Sequence, residues 1–490
     1  MNQPLRTFLL IALVVAIMLG LHWLPTLTVG DLELRKVNML SDILPTEQTA
    51  EEPDLEFLVA DTTATTAAVM PMATDTTELD TIDSVLLSDS DSVASIRPDV
   101  NIDSLMASGG FVLDFSGGAP GGLAHLRTQL QRVGELGRPV RIAYYGDSFI
   151  EGDILSCDLR ELFQNDYGGE GVGWVDCGSR ISGFRQTVKH QFSRLKEYEV
   201  VQRPFRHANE GIAERYFTAE NGARITMKGS KFRQHLSAWQ QATFYLRTDS
   251  GVRVTTYVAG DTLIDRVRGG GTLQALNVKR GSMSSVSYRL DSIGAGTLLY
   301  GVALESQHGV IVDNFSMRGS SGTPLAQIPM STLREFARVR PYDMIVLHYG
   351  LNVASAKSHP SVYKAYAKNM GTAIAHLKAA YPEATILVVS MPDRDQRTDA
   401  GLHTMRGVEA LVACQQLMAQ EHGVVFFNLF QAMGGRESMK ALVDRGMANK
   451  DYTHLNFGGG RHLARLFYNS LRDALQGKSA TVTNQTVTTP

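Results

Sequence analysis

The chain has 490 residues, more than one ordinary compact core holds, so two or three folded units are expected. Its 47 Lys and Arg against 50 Asp and Glu, a formal charge of −3, leave no basic excess and argue against nucleic acid as a partner. Three cysteines, Cys157, Cys177 and Cys414, form neither a disulfide framework nor a CxxC zinc pair, so no metal and no cofactor is expected. Cys157 and Cys177 are open to two readings, a pair in an oxidising compartment or two free thiols.

Arg6 precedes an apolar run from Phe8 to Leu24, FLLIALVVAIMLGLHWL, with no small-x-small cleavage site after it. At roughly 17 residues the run is at the short end of what spans a bilayer. It reads as an uncleaved membrane anchor over 8–24, with residues 1–7 in the cytoplasm and the bulk of the chain outside it, periplasmic in a Gram-negative cell. Residues 25–109 read as an acidic linker rich in Ser and Thr. Between Asn38 and Ile102 its only basic residue is Arg97, and such a composition buries too little apolar surface to order itself. Beyond it, GGLAHLRTQLQRVGEL has helical periodicity, RPVRIAYYGDS reads as a buried strand entering a tight turn, and DILSCDLRELFQNDY as a helix. From about Gly168 to Gly309 short β-type runs such as QATFYLRT, VRVTTYVAG and SVSYRLDS are broken by Gly, Asp and Ser, the pattern of an all-β sandwich. Strands and helices then alternate again through VIVDNFSMRG, YDMIVLHYGLN, YKAYAKNMGTAIAHLKAA, ATILVVSMP, GVVFFNLF and RHLARLFYNSLRDAL. The expected fold class is α/β, a parallel sheet with helices on both faces, interrupted by the sandwich.

Reactive groups in such a sheet collect at the carboxyl ends of its strands. Three strand ends carry them here: Gly146-Asp147-Ser148, the loop reaching Gly319, and Gly350-Leu351-Asn352. Near the C-terminus DYTH supplies Asp451 and His454. A serine hydroxyl needs a base to take its proton, histidine titrates near neutrality, and a carboxylate on the other ring nitrogen fixes its tautomer. Each piece alone is weak, since GDS is a common tripeptide and Asn352 alone reads as a turn residue; the ordered set is far more specific.

In that order the motifs GDS, a glycine, GLN and DYTH resemble the SGNH, or GDSL-type, hydrolases. The resemblance covers about residues 110–168 and 310–478. It implies a flavodoxin-like fold and ester hydrolysis. It makes Ser148 the nucleophile with Asp451 and His454 as its partners, and places Ser148, Gly319 and Asn352 in the oxyanion hole. Gly319 is preferred over Gly322 because Asn314 stands five residues before it. The third block departs from the family's GxND: Val353 replaces the Asp. The long gap from Ser148 to Gly319 is similar to the bacterial peptidoglycan O-acetylesterases of the Ape type, in which a carbohydrate-binding-like sandwich interrupts the hydrolase. That places the insert at 169–309 and a tail at 479–490. It implies an acetylated glycan, such as peptidoglycan, as substrate, with the membrane as second partner. A glycan O-acetyltransferase with the same triad and a silent glycan-binding envelope protein are the alternatives.

Other residues are read more plainly. His308 is taken as a loop residue and His348 as a core histidine. Arg318 is taken as solvated, with an anionic substrate group as the alternative. Glu151 and Asp153 are taken as loop residues, Trp174 and Trp239 as core with sugar stacking as the alternative. The GGG runs at 269–271 and 458–460 read as turns.

Overall fold

The computed structural model describes residues 111–477 together with the backbone of Thr28–Val29 and Leu32–Glu33. The chain divides into two units, Met1–Thr74 and Asp75–Pro490. In the first, Thr28–Val29 and Leu32–Glu33 form a short antiparallel ladder, inside a stretch expected to lack regular structure. The expected cytoplasmic segment 1–7, the anchor 8–24, the rest of the linker 25–109 apart from these strands, and the tail 479–490 lie outside the described residues. Among the described residues no helix is long and apolar enough to cross a membrane.

The second unit is built on a sheet of six strands. Strand β1 (Val112–Asp114) lies at one edge, and β2 (Val140–Gly146) follows helix α1 (Leu123–Gln131). Helix α2 (Ser156–Tyr167) comes next. Nine strands of a second sheet then intervene: β3 (Gly173–Asp176), β4 (Val188–Glu199), β5 (Arg215–Gly229), β6 (Trp239–Arg247), β7 (Val252–Val258), β8 (Asp261–Val267), β9 (Gln274–Met283), β10 (Ser285–Asp291) and β11 (Leu298–Glu305). The first sheet resumes with β12 (Val310–Ser316), α3 (Met330–Val339), β13 (Met344–His348), α4 (Pro360–Ala380) and β14 (Thr385–Val389). A hairpin, β15 (Asp395–Thr398) and β16 (Gly401–Thr404), leads to α5 (Val408–Glu421) and β17 (Val425–Phe427). Three helices close the chain: α6 (Leu429–Met433), α7 (Ser438–Asp444) and α8 (Phe457–Leu475).

The first sheet runs β12-β2-β13-β14-β17-β1, parallel except for the edge pair β17–β1. This is the flavodoxin-like order, and its switch point lies at β2, between β12 and β13. Every residue of β2, β12, β13 and β14 is buried, as a sheet covered on both faces requires. Helix α8 packs on α1 and α2, while α4 packs on α3 and α5, so two helical layers flank the sheet. The chain moves from β2 outward to β12, then back across to β13, β14 and β17.

The second sheet is antiparallel throughout, in the order β8-β7-β10-β5-β11-β6-β9 with β3 on β11 and β4 on β5. Strands β7 and β10 alternate buried and more exposed residues, so one face encloses a core of its own with Ile225, Phe244, Val254, Tyr288 and Leu299 in it. Trp239 belongs to that core. Trp174 belongs instead to the core of the α/β half, stacked on Tyr245 with ring centroids 5.3 Å apart. Both tryptophans are buried, which rules out the sugar-stacking alternative. Cys157 and Cys177 are buried free thiols.

One expected turn is a helix. Gly458, Gly459 and Gly460 form the first turn of α8, with the Asn456 side chain accepting the N–H of Gly458 and Gly459. A Cβ at Gly460 would lie 2.6 Å from the Leu155 backbone nitrogen, so glycine is there for a close approach and not for a bend.

A buried ion cluster joins the insert to the α/β half. Arg340, just after α3, meets Asp313 of β12 at 2.7 Å and Glu305 of β11 at 3.0 Å, and Arg141 of β2 meets Glu305 at 2.7 Å. Burial works against the Glu305 charge, but Arg141 and Arg340 outweigh it and hold its carboxyl below the usual range. Removing one partner of such a pair leaves a buried charge uncompensated. Arg340→Ala should therefore destabilise the folded unit by about 3–5 kcal/mol, read from the shift in its denaturant midpoint. A loss under about 1 kcal/mol, the range of an exposed pair, would contradict this role.

Candidate active site

Gly146, the last residue of β2, pairs with Ser316 of β12 on one side and His348 of β13 on the other. These three residues form one row across the sheet. Ser148, Gly319 and Asn352 leave that row by two, three and four residues, so the three loops emerge together over the switch point.

After the row, the chain turns through a 3-10 segment, Ser148–Asp153. The buried Asp147 carboxylate caps it, accepting from the Phe149 N–H at 3.0 Å. Its second oxygen accepts from the Leu351 N–H at 3.2 Å, so one side chain ties the nucleophile turn to the loop carrying Asn352. Burial raises Asp147 to about 6, despite the N–H groups of Phe149, Leu351 and Gly350 and the nearby His454. Asn314 braces the turn from β12, donating to the Ile150 carbonyl at 2.8 Å and to Ser156 Oγ at 2.7 Å.

Asp451 and His454 reach the same place from the loop before α8. Tyr452 adopts φ 54°, which curls the loop so that Asp451 Oδ1 accepts the N–H of Thr453 and of His454, each at 3.0 Å. Asp451 Oδ2 meets His454 Nδ1 at 2.8 Å. Burial opposes the carboxylate's charge, but the His454 ring and these N–H groups hold Asp451 below its usual range. An ionised carboxylate only accepts, so Nδ1 carries the proton and Nε2 is left as the acceptor. Ser148 Oγ lies 2.9 Å from that Nε2 and donates to it.

Unused hydrogen-bond donors also stand on these loops. Among the described residues, neither the Ser148 nor the Gly319 backbone N–H has an acceptor. Gly319 takes φ 84°, a left-handed conformation that a side chain disfavours. The Asn352 side-chain nitrogen spends one hydrogen on the Ser320 carbonyl at 3.0 Å and keeps the other. Preorganised donors of this kind are what a developing oxyanion needs.

Among these neighbours Arg318 is exposed as read, His348 and His308 stand as read, and Asp153 does not. Arg318 is ion-paired, its Nε 3.0 Å from Glu151 Oε1, so its guanidinium already has an anion. Asp153 is no loop residue. It is fully buried with Arg160 at 2.8 Å, Arg185 at 3.4 Å and Thr187 at 2.7 Å. Burial opposes its charge, yet the two arginines hold it well below the usual carboxylate range. His348 is a core residue: its Nδ1 meets the Tyr144 hydroxyl at 3.0 Å, and burial lowers it to about 3. His308 precedes β12, at the opposite end of the sheet from Ser148. Two functional neighbours, Glu214 and Arg215, have no local signal in the sequence. They come from the insert and touch the loops around Ser316 and Ser320.

Residues 291–460 match the model of the GDSL-like Lipase/Acylhydrolase family. Over this segment the chain resembles the GDSL-type acylhydrolases. The matched segment contains Gly319, Asn352, Asp451 and His454; Ser148 lies before it, on the far side of the insert. Among solved structures, a peptidoglycan O-acetylesterase aligns at 20% identity with a TM-score of 0.61, over 75% of this chain and 100% of its own, which shows a shared fold. A Bacillus subtilis protein aligns at 15% identity over 59% of this chain and 90% of its own, with a TM-score of 0.29. A family two carbohydrate esterase from Cellvibrio japonicus aligns at 9% identity over 59% of this chain and 99% of its own, with a TM-score of 0.22. No curated protein matches the chain.

The raised Asp147 has a sign that can be checked. Its folded value of about 6 exceeds the ordinary 3.8, so the folded chain holds a proton that the unfolded chain has released. The stability this contributes is fully present below the ordinary value and is lost as pH rises through the folded one. Asp147→Asn has no such proton. From pH 4.5 to 7.5 the variant should gain roughly 2 kcal/mol relative to the parent in denaturant titrations. A gap that stays constant with pH contradicts the raised value.

Proposed function

We propose that this esterase removes O-acetyl groups from an extracytoplasmic glycan, such as peptidoglycan, through an acyl-enzyme on Ser148. The observation that carries the chemistry is the unbroken chain from Ser148 Oγ to His454 Nε2 at 2.9 Å and from His454 Nδ1 to Asp451 at 2.8 Å. His454 takes the serine proton as Oγ attacks the acetyl carbonyl carbon. The negative oxygen that forms accepts from the N–H groups of Ser148 and Gly319 and from the Asn352 amide. The tetrahedral species collapses, His454 gives its proton to the departing sugar oxygen, and acetyl remains on Ser148. A water, deprotonated by the same imidazole, attacks the acetyl-serine ester and releases acetate. Asp451 stays ionised throughout and stabilises the imidazolium.

The glycan and the location rest on other support. The shared fold is that of a solved peptidoglycan O-acetylesterase, matched over the whole of that chain. The apolar run Phe8–Leu24, following Arg6, supports an anchor that leaves the enzyme outside the cytoplasm.

Acetate release from O-acetylated peptidoglycan, acetylated xylan and p-nitrophenyl acetate, with water as sole acceptor, tests this. The wild type should prefer peptidoglycan, and Ser148→Ala should lose activity by a factor on the order of 10⁴–10⁶. Equal rates for the two proteins end the serine-esterase reading, and p-nitrophenol release that requires a glycan acceptor, with acetyl on the glycan and no free acetate, replaces hydrolysis by transfer. In fractionated cells the activity should follow the membranes; activity in the soluble cytoplasm contradicts the placement.

A further inference from the structure

The sandwich insert reaches the oxyanion loops through two adjacent residues, Glu214 and Arg215. Glu214 is buried, immediately before β5, and takes φ 56°, a left-handed conformation that a residue with a side chain rarely adopts. That strain is held in place by its surroundings. Ile212 and Ala213 beside it sit in the hydrophobic core of the hydrolase half, and the Glu214 carbonyl accepts from the Val200 N–H at 3.0 Å.

Both carboxyl oxygens are used, and each goes to a different loop. Oε1 accepts from the Ser320 hydroxyl at 3.0 Å. Oε2 accepts from the Tyr349 hydroxyl at 3.1 Å. Ser320 follows Gly319, and its carbonyl holds the Asn352 amide at 3.0 Å. Tyr349 stands three residues before Asn352. Arg215 adds a third grip, donating to the Ser316 carbonyl at 2.8 Å at the end of β12. Two of the three oxyanion donors, the Gly319 N–H and the Asn352 amide, thus sit on loops pinned by one dipeptide of the insert.

We infer that Glu214 is a positioning residue of the oxyanion hole, through which the inserted sandwich sets the geometry of the two donor loops. It does not meet the acyl group, since its oxygens are taken by Ser320 and Tyr349. It acts by fixing where those loops stand. This rests on the esterase reading above. Misplacing catalytic donors by about an ångström costs on the order of 10²-fold in rate, so the tie is large enough to matter.

The protonation of Glu214 fits this role and guides the choice of variants. Burial, and then Glu210, raise it to about 7 against the two hydroxyls and Arg215. His207 faces Glu210 at 2.7 Å, and Tyr145 also lies within electrostatic reach of Glu214. A neutral side chain of the same shape is therefore tolerated at this site. Gln fulfils that condition; Ala does not.

The test uses the full chain and p-nitrophenyl acetate, whose small acyl group makes no demand on a sugar site. Glu214→Ala should lower kcat about 10–100-fold with KM within about 3-fold of the wild type. Glu214→Gln should keep kcat within about 3-fold. Where Glu214→Ala does not fold, as its thermal transition would reveal, Ser320→Ala and Tyr349→Phe replace it, each removing one hydroxyl. Each should lower kcat several-fold at unchanged KM. A Glu214→Ala protein, or the hydroxyl pair, with wild-type kcat overturns the inference, as does loss in Glu214→Gln equal to that in Glu214→Ala. Failure of the esterase reading looks different: there the wild type and Ser148→Ala hydrolyse the ester equally.

Discussion

The site depends on one constraint, the parallel register that sets Gly146 between Ser316 and His348. A strand slipped by one residue would turn its buried side chains to the opposite face. In β2, β12 and β13 every residue is buried, so a slip would set side chains against the wrong partners in close-packed layers on both faces. The row is consequently fixed, and with it the starting point of each loop. Asp147 then converts a row of backbone into a site. Its two oxygens hold the nucleophile turn and the Asn352 loop to each other.

The insert changes what the hydrolase is. Its nine strands have a core of their own, yet Trp174, Tyr245, Tyr300 and Ile212 lie in the core of the α/β half. The ion cluster of Arg141, Glu305, Asp313 and Arg340 crosses the same boundary. The sandwich is therefore integrated with the hydrolase and is no appended module. A chain interruption between β2 and β12 is tolerated because the two strands still pair along their full length. Hydrogen bonds of the sheet replace the short crossover that an uninterrupted domain would use.

Much of this was legible in the sequence, and the reasons are specific. The runs VRIAYYG, VIVDNFS and TILVV are rich in apolar and aromatic residues without strict alternation, the signature of strands covered on both faces, and they mark their own carboxyl ends. Ser148, Gly319, Asn352, Asp451 and His454 could be picked out because each follows such an end or stands in a short polar loop. What stayed hidden depends on contacts across long separations. Glu214 and Arg215 look like ordinary charges before a strand; only the fold brings them to Ser320 and Ser316. Arg340, Asp313 and Glu305 look like surface residues and lie in the core. The glycines at 458–460 look like a turn, because composition does not disclose that a helix must pass close to the Leu155 backbone. Arg318 looks free until Glu151 is placed beside it.

The central claim is that His454 activates Ser148 and no other residue. An alkyl fluorophosphonate reports this directly, because it reacts with an activated serine and leaves a stable adduct that peptide mapping locates. The account predicts a single adduct on Ser148 in the wild type, and a rate of labelling reduced on the order of 10²-fold or more in His454→Ala, as loss of a general base implies. An adduct on a different serine, or labelling of Ser148 at the same rate without His454, would contradict it.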